Sequence, residues 1–158
     1  MSIINPERNL ICIRPLSTED LPLIYQIGTK EGNSDDNFVW SADSLSEILI
    51  SSMDFCYTAI RRKQIFGFMI SSVSSETDGG RTVKIHKIMS TDPKNDFVIK
   101  LLLDRFFRDF HEKGYISCKL IVKKNDERLI NILQNYRFTE KSQISVFEFT
   151  GSGISAGE

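Results

Sequence analysis

The stretch from Thr82 to Val122 constrains the fold more than any other part of the chain. Two short apolar runs rich in β-formers, "TVKIHKIM" and "CKLIV", bracket one long helical pattern. Within that pattern Ile99, Leu102, Leu103, Phe106 and Phe110 recur at helical spacing, and Leu101 and Phe107 widen the stripe. Gly114 ends the helix. A strand, a helix and a second strand of this kind close only as a right-handed parallel crossover.

The rest of the chain supplies partners for that unit. "LICIRP" reads as a strand ending at Pro15. "STEDLPLIYQIG" reads as a helix with Ser17 as N-cap and Asp20 near its third position. Pro22 is tolerated because it falls in the first turn. "SADSLSEILISSM" is a second helix, capped by Ser41 or Asp43, with Leu45, Ile48 and Leu49 on one face. "FCYTAIRR" and "QIFGFMISSV" are strands joined by a turn at Arg62 and Lys63. After the crossover, "NDERLINILQNY" is a helix turning Leu129, Ile130, Ile132 and Leu133 inward, and "FTEKSQISVFEFT" is a closing strand or hairpin. The order β-α-α-β-β-β-α-β-α-β(-β) predicts one α/β domain over residues 1–150, built on a mixed, mostly antiparallel sheet with helices on both faces. Residues 151–158 read as a flexible tail.

Composition narrows the functional classes. A length of 158 residues suits one core. A formal net charge of −1 argues against a phosphate-backbone binder such as a nucleic-acid protein. No apolar run approaches a membrane span, and "MSIINPERNL" does not read as a secretory signal. Cys12, Cys56 and Cys118 sit in apolar, strand-like surroundings and read as buried, reduced thiols. With only His86 and His111 beside them, a metal cluster is not expected. These features predict a cytoplasmic, metal-free domain.

The segments "IRPLSTEDLPLIYQI", "IHKIMSTDP", "LLLDRFFRDFHEKGY" and "LIVKKNDERLINILQNYRF", in this order, resemble the GCN5-related N-acetyltransferase superfamily over roughly residues 10–149. The resemblance implies an acyl-CoA N-acyltransferase fold, with acetyl-CoA as cosubstrate and an amine attacking the thioester carbonyl directly. It implies that the cofactor sits between splayed fourth and fifth strands. The pantetheine arm would run along the fourth strand at Ile88, Met89 and Ser90, and the pyrophosphate would lie on amides of the following helix start. Asn125 matches the family's asparagine after the fifth strand. The partner implied is a small-molecule or peptide amine; a homodimer is left open.

Two positions depart from the family's pattern. Its pyrophosphate loop has a basic residue followed by two glycines. Here Lys94 stands at the basic position, with Asn95 and Asp96 next, Phe97 and Ile99 at the glycines and Val98 between them. The first turn of any helix attracts an anion through unpaired amides and a partial positive charge, whatever its side chains. Glycine only eases close approach. Two outcomes follow: the amides of residues 95–99 hold a diphosphate with help from Lys94, or Phe97 and Ile99 fill the groove while Asp92 and Asp96 take the anion's place. The second departure concerns the thiolate acid, usually a tyrosine of the last helix. Counting back from Phe138 puts Leu133 there, with Tyr136 about one turn on, and Arg137 replaces the glycine before Phe138.

The remaining candidates each carry a plainer alternative. His86, between Lys84 and Lys87, has a side chain suited to a general base, but the neighbouring lysines lower its proton affinity, which favours an ordinary strand histidine. Tyr136 is a proton donor or a core aromatic. Glu31, Asp35 and Trp40 form an acceptor site, or else a solvated loop ending in a core tryptophan. The function implied is a divergent N-acetyltransferase. The alternative is a catalytically inactive binding or regulatory domain of the same fold.

Overall fold

The computed structural model describes residues 11–30, 40–51, 54–75, 80–92, 94–122, 126–141 and 146–150. Seven strands and four α-helices follow in the order β1 (Cys12–Pro15), α1 (Leu21–Lys30), α2 (Ala42–Ser51), β2 (Tyr57–Arg61), β3 (Gln64–Ser75), β4 (Arg81–Ser90), α3 (Asp96–Glu112), β5 (Ser117–Ile121), α4 (Glu127–Asn135), β6 (Thr139–Glu140) and β7 (Val146–Thr150). A short 3₁₀ turn, Thr18–Asp20, leads into α1. The strands form one sheet in the order β1-β2-β3-β4-β5-β7-β6. All pairings are antiparallel except β4 with β5. This is the predicted mixed sheet with its single crossover. The tail at 151–158 lies outside the described residues.

Side chains alternate across a strand, so the sheet buries two faces. Met69, Val83, Ile85 and Ile88 join the stripe of α3, Val98, Leu102, Leu103, Phe106 and Phe110, in one core. Phe68, Ile70 and Met89 turn the other way and pack with Ile24 of α1, Leu45 and Leu49 of α2, and Trp40. Trp40 stacks on Phe68 at 5.8 Å and donates its indole N–H to the Tyr25 carbonyl at 3.0 Å. Gly28 permits this: a Cβ there would lie 2.1 Å from Trp40 Cζ2.

Polar groups pin the layers. Asp20, 7% exposed, accepts a bidentate pair from Arg14 at 2.7 and 2.8 Å, the Ser17 amide at 3.0 Å and the Thr58 hydroxyl at 3.3 Å. Burial alone would raise this carboxyl, but the donors and the guanidinium charge outweigh it and hold it below the usual range. On the opposite face, Tyr57 donates to Asp109 at 2.7 Å. Arg105 bridges Asp109 at 3.2 Å to the Ile13 carbonyl at 2.8 Å, which fixes α3 against β1 and β2.

Both helices of the crossover half, α3 and α4, end in the same hydrogen-bond motif. At the end of α3, Gly114 N–H bonds the His111 carbonyl and Tyr115 N–H the Phe110 carbonyl, both at 3.0 Å, with Gly114 at φ +78°. At the end of α4, Arg137 N–H bonds Gln134 and Phe138 N–H bonds Leu133, again at 3.0 Å, but the left-handed residue is Arg137 at φ +69°. Arg62 and Lys63, at φ +50° and +67°, make the predicted β2–β3 turn.

Candidate active site

The site begins where one ladder stops. β4 and β5 pair in parallel only from Thr82↔Ser117 to Ile85↔Leu120. Immediately beyond, β4 carries a bulge: Ile70 of β3 pairs with Lys87 and Ser71 with Ile85, so His86 is the extra residue. A bulge bends its strand and increases its twist. Among the described residues the parallel ladder does not continue beyond Ile85 into the stretch from His86 to Ser90. The ladder thus ends one residue before β5 does, at the level where the resemblance to the family puts the cofactor.

A groove of about 200 Å³ opens at this notch, between β4, the start of α3 and the start of α4. Ile88, Met89 and Ser90 line it from β4, and Asn95, Asp96 and Ile99 from the head of α3. Leu129 and Ile132 make its α4 wall, with Asp126 and Arg128 at that helix start. Six of the predicted cofactor-binding residues thus share one groove. Lys94 is exposed beside it, Phe97 is half exposed, and Val98 is buried beneath. Val98 seats against Gly67, where a Cβ would come within 2.6 Å of both Val98 Cγ1 and the Met89 carbonyl oxygen. Neither bulky residue at the glycine positions plugs the groove: Phe97 turns outward, and Ile99 forms part of the wall.

The amides at the head of α3 are partly committed. Asp92 Oδ1 accepts from Lys94 N–H at 3.0 Å and its carbonyl from Asn95 N–H at 2.9 Å. The N-cap is Asn95, rather than either aspartate, and its Oδ1 takes Phe97 N–H at 3.1 Å. The amides of Asp96 and Val98 have no such internal acceptor among the described residues. The helix start therefore offers two peptide donors where sequence reasoning counted the run 95–99. Asp96 pairs with Arg128, its Oδ1 3.1 Å from Nη2, and the same nitrogen donates to the Lys94 carbonyl at 2.9 Å.

The proposed proton donor is elsewhere. Tyr136 is the C-cap of α4; its ring stacks on Phe107 at 6.0 Å. Its hydroxyl lies 2.7 Å from Asp104 Oδ1 and 3.2 Å from the Lys100 carbonyl, both acceptors on α3. Burial and that hydrogen bond to a carboxylate both push the phenol up. Leu133, at the family's tyrosine position, is fully buried. Among the described residues no tyrosine lines the groove.

His86 projects from the bulge, with Nε2 2.6 Å from Ser72 Oγ on β3. Lys87 places its ammonium 5.4 Å from the Trp40 ring centroid. Trp40 is itself a core residue of the α1–α2 layer, 9% exposed. Glu31, Asp35 and Asn125 lie outside the described residues; the N-cap of α4 is Asp126, whose Oδ1 accepts Leu129 N–H at 3.2 Å. Cys56 and Cys118 are buried, and burial raises both thiols, Cys56 to about 11, whereas Cys12, expected to be buried too, is exposed on β1. Among the described residues no cluster of three metal-ligating side chains occurs, and no helix is long and apolar enough to cross a membrane. Sequence reasoning missed Arg128, Asp126 and Ser72. The only signal for Arg128 was its place in the first turn of a helix expected to border the groove.

A mixed seven-stranded sheet with one parallel pair, flanked by four helices, is the fold of the GCN5-related N-acetyltransferase superfamily, and this chain has that fold. Solved structures that share it include Ard1 from Thermoplasma volcanium, with TM-score 0.72 and 16% identity over 88% of this chain and 95% of that one. The PaiA N-acetyltransferase from Thermoplasma acidophilum, in complex with coenzyme A, gives 0.70 and 16% over 89% and 98%. Arabidopsis thaliana Naa50, with the bisubstrate analogue CoA-Ac-MVNAL, gives 0.70 and 12% over 88% and 96%. No protein-family model and no curated protein sequence matches the chain.

Proposed function

We propose that the chain is an acyl-CoA-dependent N-acyltransferase that transfers an acetyl group to an amine, either a small molecule or a peptide N-terminus. The observation that carries this reading is the end of the β4–β5 ladder at Ile85 and Leu120, with a groove opening at that point. Strand-edge peptide groups there suit an amide-bearing arm such as pantetheine, which would pair with β4 around Ile88 and Met89. The free amides of Asp96 and Val98, with Lys94 and Arg128 nearby, suit the diphosphate. Asn125 would orient the arm. Two solved structures of the same fold hold coenzyme A or a coenzyme A conjugate, which supports the fit.

Acyl-CoA supplies an activated thioester; the chain's residues would orient it and handle the protons. His86, at the bulge and held by Ser72, would take the amine's proton. Glu31, Asp35 and Trp40 would border the acceptor. A proton for the departing thiolate would come from solvent or the acceptor, because Tyr136 is bonded to Asp104. That same bond favours a second reading, a catalytically inactive domain that binds through the groove. In either case the reduced thiols suit the cytoplasm.

Calorimetric titration with acetyl-CoA and CoA tests the site. Affinity tighter than about 100 μM, near −5.5 kcal/mol, supports it; no heat and no thermal stabilisation at millimolar ligand rejects it. Turnover on polyamines, amino acids and short peptides then separates the transferase from the binding domain.

A further inference from the structure

The head of α3 carries a carboxylate where an anionic ligand would lie, and that carboxylate already has a cation. Arg128, from the first turn of α4, reaches across the groove mouth to Asp96 Oδ1 at 3.1 Å and to the Lys94 carbonyl at 2.9 Å. The side chains are 52% and 38% exposed. A pair exposed to this degree is held weakly and is easily exchanged. Its geometry is also incomplete: one guanidinium nitrogen serves both acceptors, whereas the full fork can grip two oxygens side by side.

The geometry points to Arg128 as the diphosphate-binding cation of the groove and to Asp96 as its built-in competitor. This inference rests on the acyl-CoA reading above. In the structure the guanidinium is held by Asp96, so a ligand's diphosphate must take it over. The exchange is favourable because a diphosphate carries more charge than one carboxylate and offers the fork paired oxygens. The other groups facing the mouth sharpen this role. Asp126 caps its own helix by accepting Leu129 N–H and has no donor to offer, and Asn95 caps α3 by accepting Phe97 N–H through Oδ1, which leaves its side-chain NH₂ as a neutral donor without charge to set against a diphosphate. Lys94 stands beside the groove without lining it. Among the described lining residues Arg128 is the one cation. In a glycine-rich loop affinity comes from many open amides. Among the described residues at the head of α3, Asp96 and Val98 keep theirs, and the side-chain cation makes up the difference.

The test is titration of the full chain, wild type, Asp96→Asn and Arg128→Gln, with CoA and with pantetheine, which lacks phosphates, at low and at physiological salt. Asp96→Asn should bind CoA about 3- to 10-fold tighter, and Arg128→Gln about 10-fold weaker, both effects shrinking with salt. Pantetheine binding should be the same in all three. Melting temperatures matching wild type would exclude a folding defect, as the pair's exposure predicts. If wild type binds CoA but neither substitution changes its affinity, or Asp96→Asn weakens it, the exchange is overturned while the acyl-CoA reading stands. If none of the three binds CoA or pantetheine at millimolar concentration, the reading of the groove falls and takes this inference with it.

Discussion

Ser72 Oγ lies 2.6 Å from Nε2 of His86, so a hydroxyl on β3 orients the imidazole at the bulge of β4. If His86 is the base, His86→Gln should lower turnover by about 10²- to 10⁴-fold with little change in CoA affinity. Ser72→Ala, which frees the ring without removing it, should lower turnover by about tenfold. Steady-state kinetics on any accepted amine check both. Wild-type activity in His86→Gln would remove the residue from the chemistry.

Arg137 supplies a contrast with Gly114, because both occupy the left-handed position of the same helix-ending motif. A side chain there costs roughly 1–2 kcal/mol that glycine avoids. Arg137→Gly should therefore stabilise the chain by about 1 kcal/mol, offset in part by glycine's freedom when unfolded, and Gly114→Ala should destabilise it by a similar amount. Urea unfolding measures the two in opposite directions.

Gly67 is the point of closest approach under the groove floor. Its missing Cβ would meet the Met89 carbonyl, which is held in the β3–β4 ladder, and Val98 in the core. Gly67→Ala should cost about 1–3 kcal/mol by overpacking. It should also weaken any groove ligand, because Met89 and the head of α3 shift together. A destabilised variant with unchanged ligand affinity would separate the floor from the site.

Tyr57 and Asp109 tie the sheet to the last turn of α3 at 2.7 Å. Tyr57→Phe keeps the ring and leaves Asp109 with Arg105, so the expected loss is about 1 kcal/mol. Asp109→Ala strands both the phenol and the guanidinium and should cost about 2–3 kcal/mol. Thermal melts of the two variants rank them.

Asp20 gives the pH dependence. Its carboxyl is held below its unfolded value near 4, so its stabilising effect is fully present above that value. It is lost as pH falls through the lower folded value. Asp20→Asn should be about 2 kcal/mol less stable at neutral pH, having lost the charge on its bonds to Arg14. It should also show a flatter decline in acid. An unchanged acid limb in chemical denaturation would rule Asp20 out as its source.

The fold was legible because periodicity does not depend on distant partners. The stripe Ile99 to Phe110, the stop at Gly114 and the turn at Arg62 and Lys63 each follow from local rules, and the crossover follows from their order. The position of the groove was legible for the same reason, since it lies where one predicted strand hands over to a predicted helix. What could not be read were competitions decided at short range. Asp92, Asn95 and Asp96 are all plausible caps, and only backbone geometry gives the cap to Asn95 and the ion pair to Asp96. Tyr136 sits one turn from the expected position by count, but as the C-cap it swings onto Phe107 and Asp104. The bulge at His86 has no sequence signature, because one extra residue leaves the run "TVKIHKIM" looking like any strand.

The four paired positions that join β4 to β5 make a narrow isthmus between two subsheets, one built from β1 to β4 and the other from β5 to β7. Along that seam the joint is made by those rungs and by the core beneath them, where α3 packs against both subsheets. A guest lying in the notch would act as a fifth and sixth rung, adding its own stiffness to the joint. Deuterium uptake at Lys87 to Ser90 and at Leu120 to Val122 would then slow together when the guest arrives, one molecule mending the gap from both sides.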